Sequence, residues 1–313
     1  MTVAWLFPGQ GTQEVGMGKA LVEASPAARE VFARADAALG FSISKLCFEG
    51  PIEQLTLTEH AQPAIVTASI AALAALREAV PNLAVPAFAA GHSLGEYSAL
   101  VASGALAFED AVRLVNLRGR AMQEAVPPGR GAMAAIMGGD ADAVTALCAE
   151  AAAGDVLSPA NFNAPGQIVI SGTAEAVARA VELAGTRKLK AIPLKVSAPF
   201  HCALMLPAAR AVDTALASIP LAPLAFPVVA NVTAEPNRDA GSVRSLLVRQ
   251  IDGPVRWEQS IAFMAEAGVT RALEIGPGKV LAGLVKRIDK RIGVSACFDP
   301  AAFAELAPSL ATS

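Results

Sequence analysis

The chain has 313 residues, 54% of them hydrophobic and few of them aromatic, with a formal net charge of −3. That length makes one large domain or two modest ones, with ample apolar core in either case. The charge balance excludes recognition of nucleic acid or an anionic membrane by overall attraction, so an acidic partner would have to meet a local basic patch.

Val3–Phe7 predicts a buried strand, followed by Pro8-Gly9-Gln10-Gly11-Thr12-Gln13. Glycines at a strand end let the backbone turn tightly or approach a ligand. The run is no dinucleotide fingerprint, because Glu14 stands where a third glycine belongs, and no phosphate loop, because Met17 follows Gly16 in place of lysine. Helices are predicted over Pro26–Leu39, with Ser25 as cap, and over Pro63–Ala79. The apolar run Val85–Ala90 predicts a strand, and Glu96–Ser103 is apolar at helical spacing. Between them lies Gly91-His92-Ser93-Leu94-Gly95, a Gly-x-Ser-x-Gly turn that lifts a serine above its sheet and aims helix N–H groups at a developing oxyanion. Glu109–Ala125 predicts a further helix, on which Arg113 and Arg120 read as solvated.

Pro127-Pro128-Gly129 marks a boundary. Beyond it the pattern reads strand (Ala132–Met137), helix (Asp140–Ala151), strand (Leu157–Asn163), strand (Gln167–Ser171), helix (Ala174–Ala184), strand (Lys190–Val196). That is the order of a split βαβ, or ferredoxin-like, unit. It divides the chain into a core of residues 1–127 and 198–313 and an insert of residues 128–197, with a ligand cleft between. After the loop Ser197–Cys202, helices are expected over Leu204–Ser218, from Asp252 through Ala267, and over Val280–Ile288, and strands over Phe226–Val232 and Arg271–Ile275. Alternating strands and helices indicate an α/β core with a mostly parallel, doubly covered sheet.

Cys47, Cys148, Cys202 and Cys297 form no Cys-x-x-Cys pair and predict buried, reduced thiols in a cytoplasmic protein. The N-terminus has no basic stretch and meets Pro8 too early for a signal peptide. The apolar stretch Ala61–Leu76 is too short to span a bilayer.

A serine nucleophile needs a base, and there are three histidines. His92 adjoins Ser93 and cannot easily reach its neighbour's hydroxyl, and His60 precedes a helix far upstream as a surface or capping residue. His201, in the loop where the insert ends, is favoured by elimination. The acids between Ser93 and His201 include Asp110, Asp140, Asp142 and Asp155, which read as helix starts or a turn. The sequence therefore suggests a dyad, with His201 oriented by a neutral acceptor such as a backbone carbonyl.

Phe7–Gln13, Gly91–Tyr97, Asn161-Phe162-Asn163-Ala164-Pro165-Gly166-Gln167 and Pro199-Phe200-His201 together resemble the malonyl-CoA:acyl carrier protein transacylase family, in order from near Val3 to at least Lys286. The resemblance implies an α/β-hydrolase-like core with a ferredoxin-like subdomain. It implies acylation of Ser93, with His201 as base and acid, and an oxyanion hole from the backbone N–H groups of Gln10 and Leu94. Arg118 would hold the free malonyl carboxylate in a bidentate pair, and Gln250 would orient His201 through its main-chain carbonyl. Asn161 and Asn163 fall near the cleft or serve a turn, and Phe200 is similar to malonyl-preferring versions. The implied reaction is ping-pong transfer from malonyl-CoA to a holo acyl carrier protein, with coenzyme A as product, no cofactor or metal, and no need for more than a monomer.

Carrier proteins of this kind are acidic, which makes Arg187-Lys188-Leu189-Lys190 and Lys286–Arg291 candidates for a basic rim, or simply solvated faces. Two other readings compete: a serine hydrolase on the same core, and a non-catalytic scaffold that binds carrier or coenzyme A.

Overall fold

Val3–Phe7 forms strand β1, and all five residues are buried, as a strand covered on both faces requires. Successive side chains of a strand point to opposite faces. Val3, Trp5 and Phe7 accordingly enter one core, with Ile65, Leu73 and Leu76 of the Thr58–Ala79 helix, while Ala4 and Leu6 enter another with Val229, Trp257, Ile261 and Val285. The computed structural model describes residues 2–310, so residues 1 and 311–313 of the expected core lie outside the described residues.

The remaining strands, in chain order, are β2 (Phe88–Gly91), β3 (Gly131–Met137), β4 (Leu157–Ala164), β5 (Gln167–Thr173), β6 (Lys190–Pro193), β7 (Val228–Val229), β8 (Pro236–Asn237), β9 (Arg271–Ile275) and β10 (Gly293–Cys297). Six of them form a sheet in the order β10-β9-β1-β2-β7-β8, parallel throughout except for β8 at the edge. The other four form a separate antiparallel sheet in the order β4-β5-β3-β6. One face of that sheet packs Ile136, Ile168 and Ile170 against Leu147 and Val177 of its two helices. Its other face carries Met133, Ala135 and Val169 and meets Phe200 of the returning chain. Where the sheets approach, Phe162 N–H donates to Val255 O at 2.9 Å and Val255 N–H to Ala160 O at 2.8 Å.

Several elements differ from the sequence expectation, each for a local reason. The expected strand Val85–Ala90 starts only at Phe88, past Pro86, and the expected Phe226–Val232 strand reduces to Val228–Val229. The Lys190–Val196 strand stops at Pro193, which has no N–H for the ladder. Pro63 does not open its helix, which begins at Thr58, so His60 lies inside the first turn with Nδ1 2.9 Å from Gln54 O. Pro63 cannot donate to the carbonyl four residues back; Asn116 Nδ2 donates to that Glu59 oxygen at 2.8 Å instead. Helices at Lys19–Ala24, Ile43–Glu49, Ile52–Thr56 and Ala240–Asp252 were not anticipated, nor were β10 and the Pro300–Leu310 helix. Asp252 thus ends one helix, and the next begins only at Trp257. The four cysteines are free and buried, and burial pushes Cys47, Cys148 and Cys297 up to about 12, which keeps them unreactive thiols. Among the described residues, no helix is long and apolar enough to cross a membrane.

Candidate active site

The turn after β2 is so tight that side chains at its glycines are impossible. A Cβ on Gly91 would stand 1.9 Å from the Gly95 carbonyl carbon, and one on Gly95 would stand 2.1 Å from Phe7 O. Ser93 itself has φ 49°, a left-handed conformation that costs on the order of 1–3 kcal/mol for a residue with a Cβ. Asn231, just past β7, braces it: Oδ1 accepts from Ser93 N–H at 2.6 Å and Nδ2 donates to Gly91 O at 2.7 Å. Ser93 N–H is therefore taken. Among the described residues, the N–H groups of Leu94 and Gln10 have no protein acceptor. Leu94 is the residue from which the Gly95–Ala102 helix starts, where N–H groups are left without intrahelical partners. Gln10 is exposed on the Pro8–Gln13 loop, and both residues line one cleft of about 270 Å³ with Ser93, Arg118 and His201.

His201 reaches Ser93 from the loop after β6, also in a left-handed conformation, with φ 60°. Its Nε2 lies 2.7 Å from Ser93 Oγ. Its Nδ1 lies 2.9 Å from Gln250 O and 3.2 Å from Gly253 O. Carbonyl oxygens only accept, so Nδ1 carries the proton and Nε2 is left bare toward the serine hydroxyl. Among the described residues no carboxylate is bonded to the ring: Asp140 caps a helix by accepting from Ala143 N–H, Asp110 pairs with Arg113 and Asp155 with Arg179. His92 turns away, its Nε2 2.7 Å from Asn163 Oδ1.

Arg118 comes from the Phe108–Glu124 helix, on which Arg113 and Arg120 face solvent and Arg118 is only 2% exposed. Gly119 lets this helix close on the Thr58–Ala79 helix, since a Cβ there would stand 2.5 Å from Thr58 O. The approach sets Arg118 Nη1 2.8 Å from Gln62 Oε1. Nη2 donates to Ser93 Oγ and to Gln250 Oε1, each at 3.1 Å, and the guanidinium carbon sits 5.3 Å from the centre of the Tyr97 ring. Buried Arg118 Nε has no partner among the described residues. A serine hydroxyl, a bare imidazole nitrogen and a buried cation with donors to spare converge within one cleft. Such a set can acylate the serine and recognise an acyl group that ends in an anion.

The chain matches the acyl transferase domain family over residues 4–311. It is 50% identical over 300 residues to the malonyl CoA-acyl carrier protein transacylase of Bacillus subtilis, covering 95% of this chain and 94% of that one. The chain belongs to the malonyl CoA-acyl carrier protein transacylase family. Its fold is similar to the acyl carrier protein S-malonyltransferase of Vibrio cholerae, with TM-score 0.95, 44% identity, and coverage of 98% of this chain and 100% of that chain. It is equally similar to a malonyl-transacylase solved in complex with its type II PKS acyl-carrier protein, with TM-score 0.94, 45% identity, and coverage of 98% and 99%.

Burial governs the proton affinities of this transacylase site. His201 is driven down to about 3, first by burial and then by the Arg118 cation, so at neutral pH it is an uncharged base. Burial lowers Arg118 as well. Glu96 was not foreseen as part of the site. It is raised to about 7 by burial, against the opposing pull of Gln250, the Asn231 N–H and Arg118. Gln62, Asn231 and Tyr97 also went unassigned. Gln62 had a visible signal, a polar residue next to Pro63 inside an apolar helix, and Glu96 and Tyr97 close the Gly91–Tyr97 motif. The proposed basic rim takes no part in the cleft lining: Arg187 pairs with Glu150, Arg291 with Glu266 and Asp289, and exposed Lys195 lines the cleft together with Arg118.

Proposed function

We propose that this chain transfers a malonyl group from malonyl-CoA to the phosphopantetheine thiol of an acyl carrier protein through a malonyl-Ser93 ester. The observation that carries this reading is the 3.1 Å approach of Arg118 Nη2 to Ser93 Oγ. A malonyl ester on Oγ places its carboxyl carbon three bonds away, and Arg118 still has donors to hold it. Acetyl offers no such partner, and a carboxylate in this setting is costly unless paired.

In the first half-reaction Ser93 Oγ attacks the thioester carbonyl as His201 Nε2 takes its proton. The Leu94 and Gln10 N–H groups receive the oxyanion. The carbonyl re-forms, the coenzyme A sulfur leaves, and His201 returns the proton to it. In the second, His201 deprotonates the carrier thiol, which attacks the Ser93 ester, and the serine leaves with that proton. Because His201 rests on carbonyls, its basicity is modest, which favours an acidic thiol over water as the attacker. The reaction needs no cofactor. Residues 128–197 serve as the subdomain that covers the cleft of the core, residues 1–127 and 198–313; Asn161 borders that cleft, Asn163 stands behind it on His92, and the cytoplasm is the expected site of action.

Intact-protein mass after brief mixing with malonyl-CoA tests the reading, beside acetyl-CoA and Ser93→Ala. The expected result is a malonyl adduct that requires Ser93 and disappears when holo carrier protein is added. Free malonate without an acceptor thiol would indicate a hydrolase, and absence of adduct and turnover a binding scaffold.

A further inference from the structure

Glu96 is only 3% exposed, three residues past Ser93, and is not among the hydrogen-bond partners of His201, which are Ser93, Gln250 and Gly253. Its Oε2 instead accepts from Gln250 Nε2 at 2.8 Å and from Asn231 N–H at 3.0 Å. The same Gln250 Nε2 donates to Ser93 O at 3.0 Å, and Gln250 Oε1 accepts from Arg118 Nη2 at 3.1 Å. The amide is thus read from both ends. A flipped Gln250 would set its NH₂ against the Arg118 donor and its oxygen against the Glu96 and Ser93 oxygens, three mismatches in a buried place.

We propose that Glu96 is a positioning residue for recognition of the acyl terminus: its carboxylate turns the Gln250 amide so that Oε1 faces Arg118, and this seats the guanidinium beside Ser93. The assignment rests on the malonyl reading above. A carboxylate is a stronger acceptor than the Ser93 carbonyl, so it dominates the choice of amide orientation. Glu96 also holds the backbone of Asn231, whose side chain braces Ser93 N–H and Gly91 O, so one buried acid sets both the elbow and the cation beside it. Gln250 therefore has two separable duties: its main-chain oxygen orients His201, and its side chain relays Glu96 to Arg118.

The test compares malonyl-enzyme and acetyl-enzyme formation rates in the full chain, in buffer about one pH unit above the Glu96 value so that the carboxylate is ionised. The variants are Glu96→Ala, Glu96→Gln, Gln250→Met and the double variant Glu96→Ala/Gln250→Met. Gln250→Met deletes the amide but keeps the main-chain carbonyl that holds His201. Glu96→Ala and Gln250→Met should each lower the malonyl-to-acetyl rate ratio roughly 10- to 100-fold, the cost of a slightly misplaced recognition group, beyond any loss that the elbow contacts impose on both reactions alike. Glu96→Gln, whose amide oxygen still accepts from Gln250 Nε2, should keep most of the malonyl rate. The double variant should lower the malonyl-to-acetyl ratio no further than the worse single change, because both break one chain of contacts to Arg118, whereas the Asn231 contact of Glu96 acts on both reactions. A malonyl-to-acetyl ratio unchanged in the single variants, or losses of that ratio that add in the double variant, would overturn the assignment. If Glu96→Ala does not accumulate as folded protein, an unchanged malonyl-to-acetyl ratio in Gln250→Met overturns it alone. A wild-type chain that forms no malonyl adduct is a different failure, that of the transacylase reading itself.

Discussion

Arg118 Nη2 donates to the same Ser93 oxygen that lies 2.7 Å from His201 Nε2, so one hydroxyl sits between a buried cation and a bare imidazole nitrogen. Before acylation the cation stabilises negative charge on Oγ as the proton leaves. On the proposed reading, Oγ after acylation is an ester oxygen and the guanidinium would receive the far end of the acyl group.

Arg118→Met keeps much of the volume and removes the charge. Malonyl transfer should fall on the order of 10²-fold, as expected for losing one partner of a buried charged contact, while acetyl transfer falls far less. Adduct formation rates with the two thioesters check this, and equal losses would remove Arg118 as the carboxylate receptor.

The low proton affinity of His201 sets a pH dependence. The folded protein binds fewer protons than the unfolded chain between about 3 and the ordinary histidine value, so this residue's contribution to stability is complete above about 6.5 and is lost as pH falls through that window. Glu96, held up at about 7, has the opposite slope over part of this window, so the loss is read as the difference between wild type and His201→Gln in denaturant melts from pH 7 downward. In acetyl transfer, Arg118→Met should move the acid limb of the rate profile upward, because the cation that helps hold His201 down is gone.

Gly119→Ala ordinarily strengthens a helix, yet here the new Cβ would meet Thr58 O at 2.5 Å and Glu59 Cα at 2.7 Å, both backbone. Overpacking of this kind costs about 1–3 kcal/mol. The urea midpoint should drop, and the malonyl-to-acetyl ratio should drop with it as Arg118 is pushed away from Gln62.

Asn231→Ala leaves Ser93 N–H and Gly91 O without partners beneath a strained turn. Each buried orphan costs about 1–3 kcal/mol, so a large fall in melting temperature is expected. Wild-type thermal stability in this variant would show that the brace is dispensable.

Much of the architecture was written locally. The β1 apolar run, the Gly-x-Ser-x-Gly turn and the strand and helix order between Gly131 and Pro193 announce themselves through periodicities and turn residues that involve near neighbours only. Elements without such a pattern were missed: β7 has two residues, and the Ala240–Asp252 helix has a mixed surface whose burial of Val243, Leu247 and Gln250 is set by what packs on it.

The sequence by itself determined that a serine would stand on a tight strand-to-helix turn, because Gly91 and Gly95 act on their own neighbours. It also favoured His201 as the histidine that meets Ser93, because three histidines permit elimination. Only the tertiary structure decided what surrounds them. Glu96 is three residues from Ser93 yet works through Gln250 and Asn231, 154 and 135 positions away along the chain. Arg118 and Arg113 look alike along one helix until Gly119 draws one face against Gln62. Charge and hydrogen bonding act through space over a few ångströms, and a linear pattern does not say which distant residues the packed sheets bring within that range.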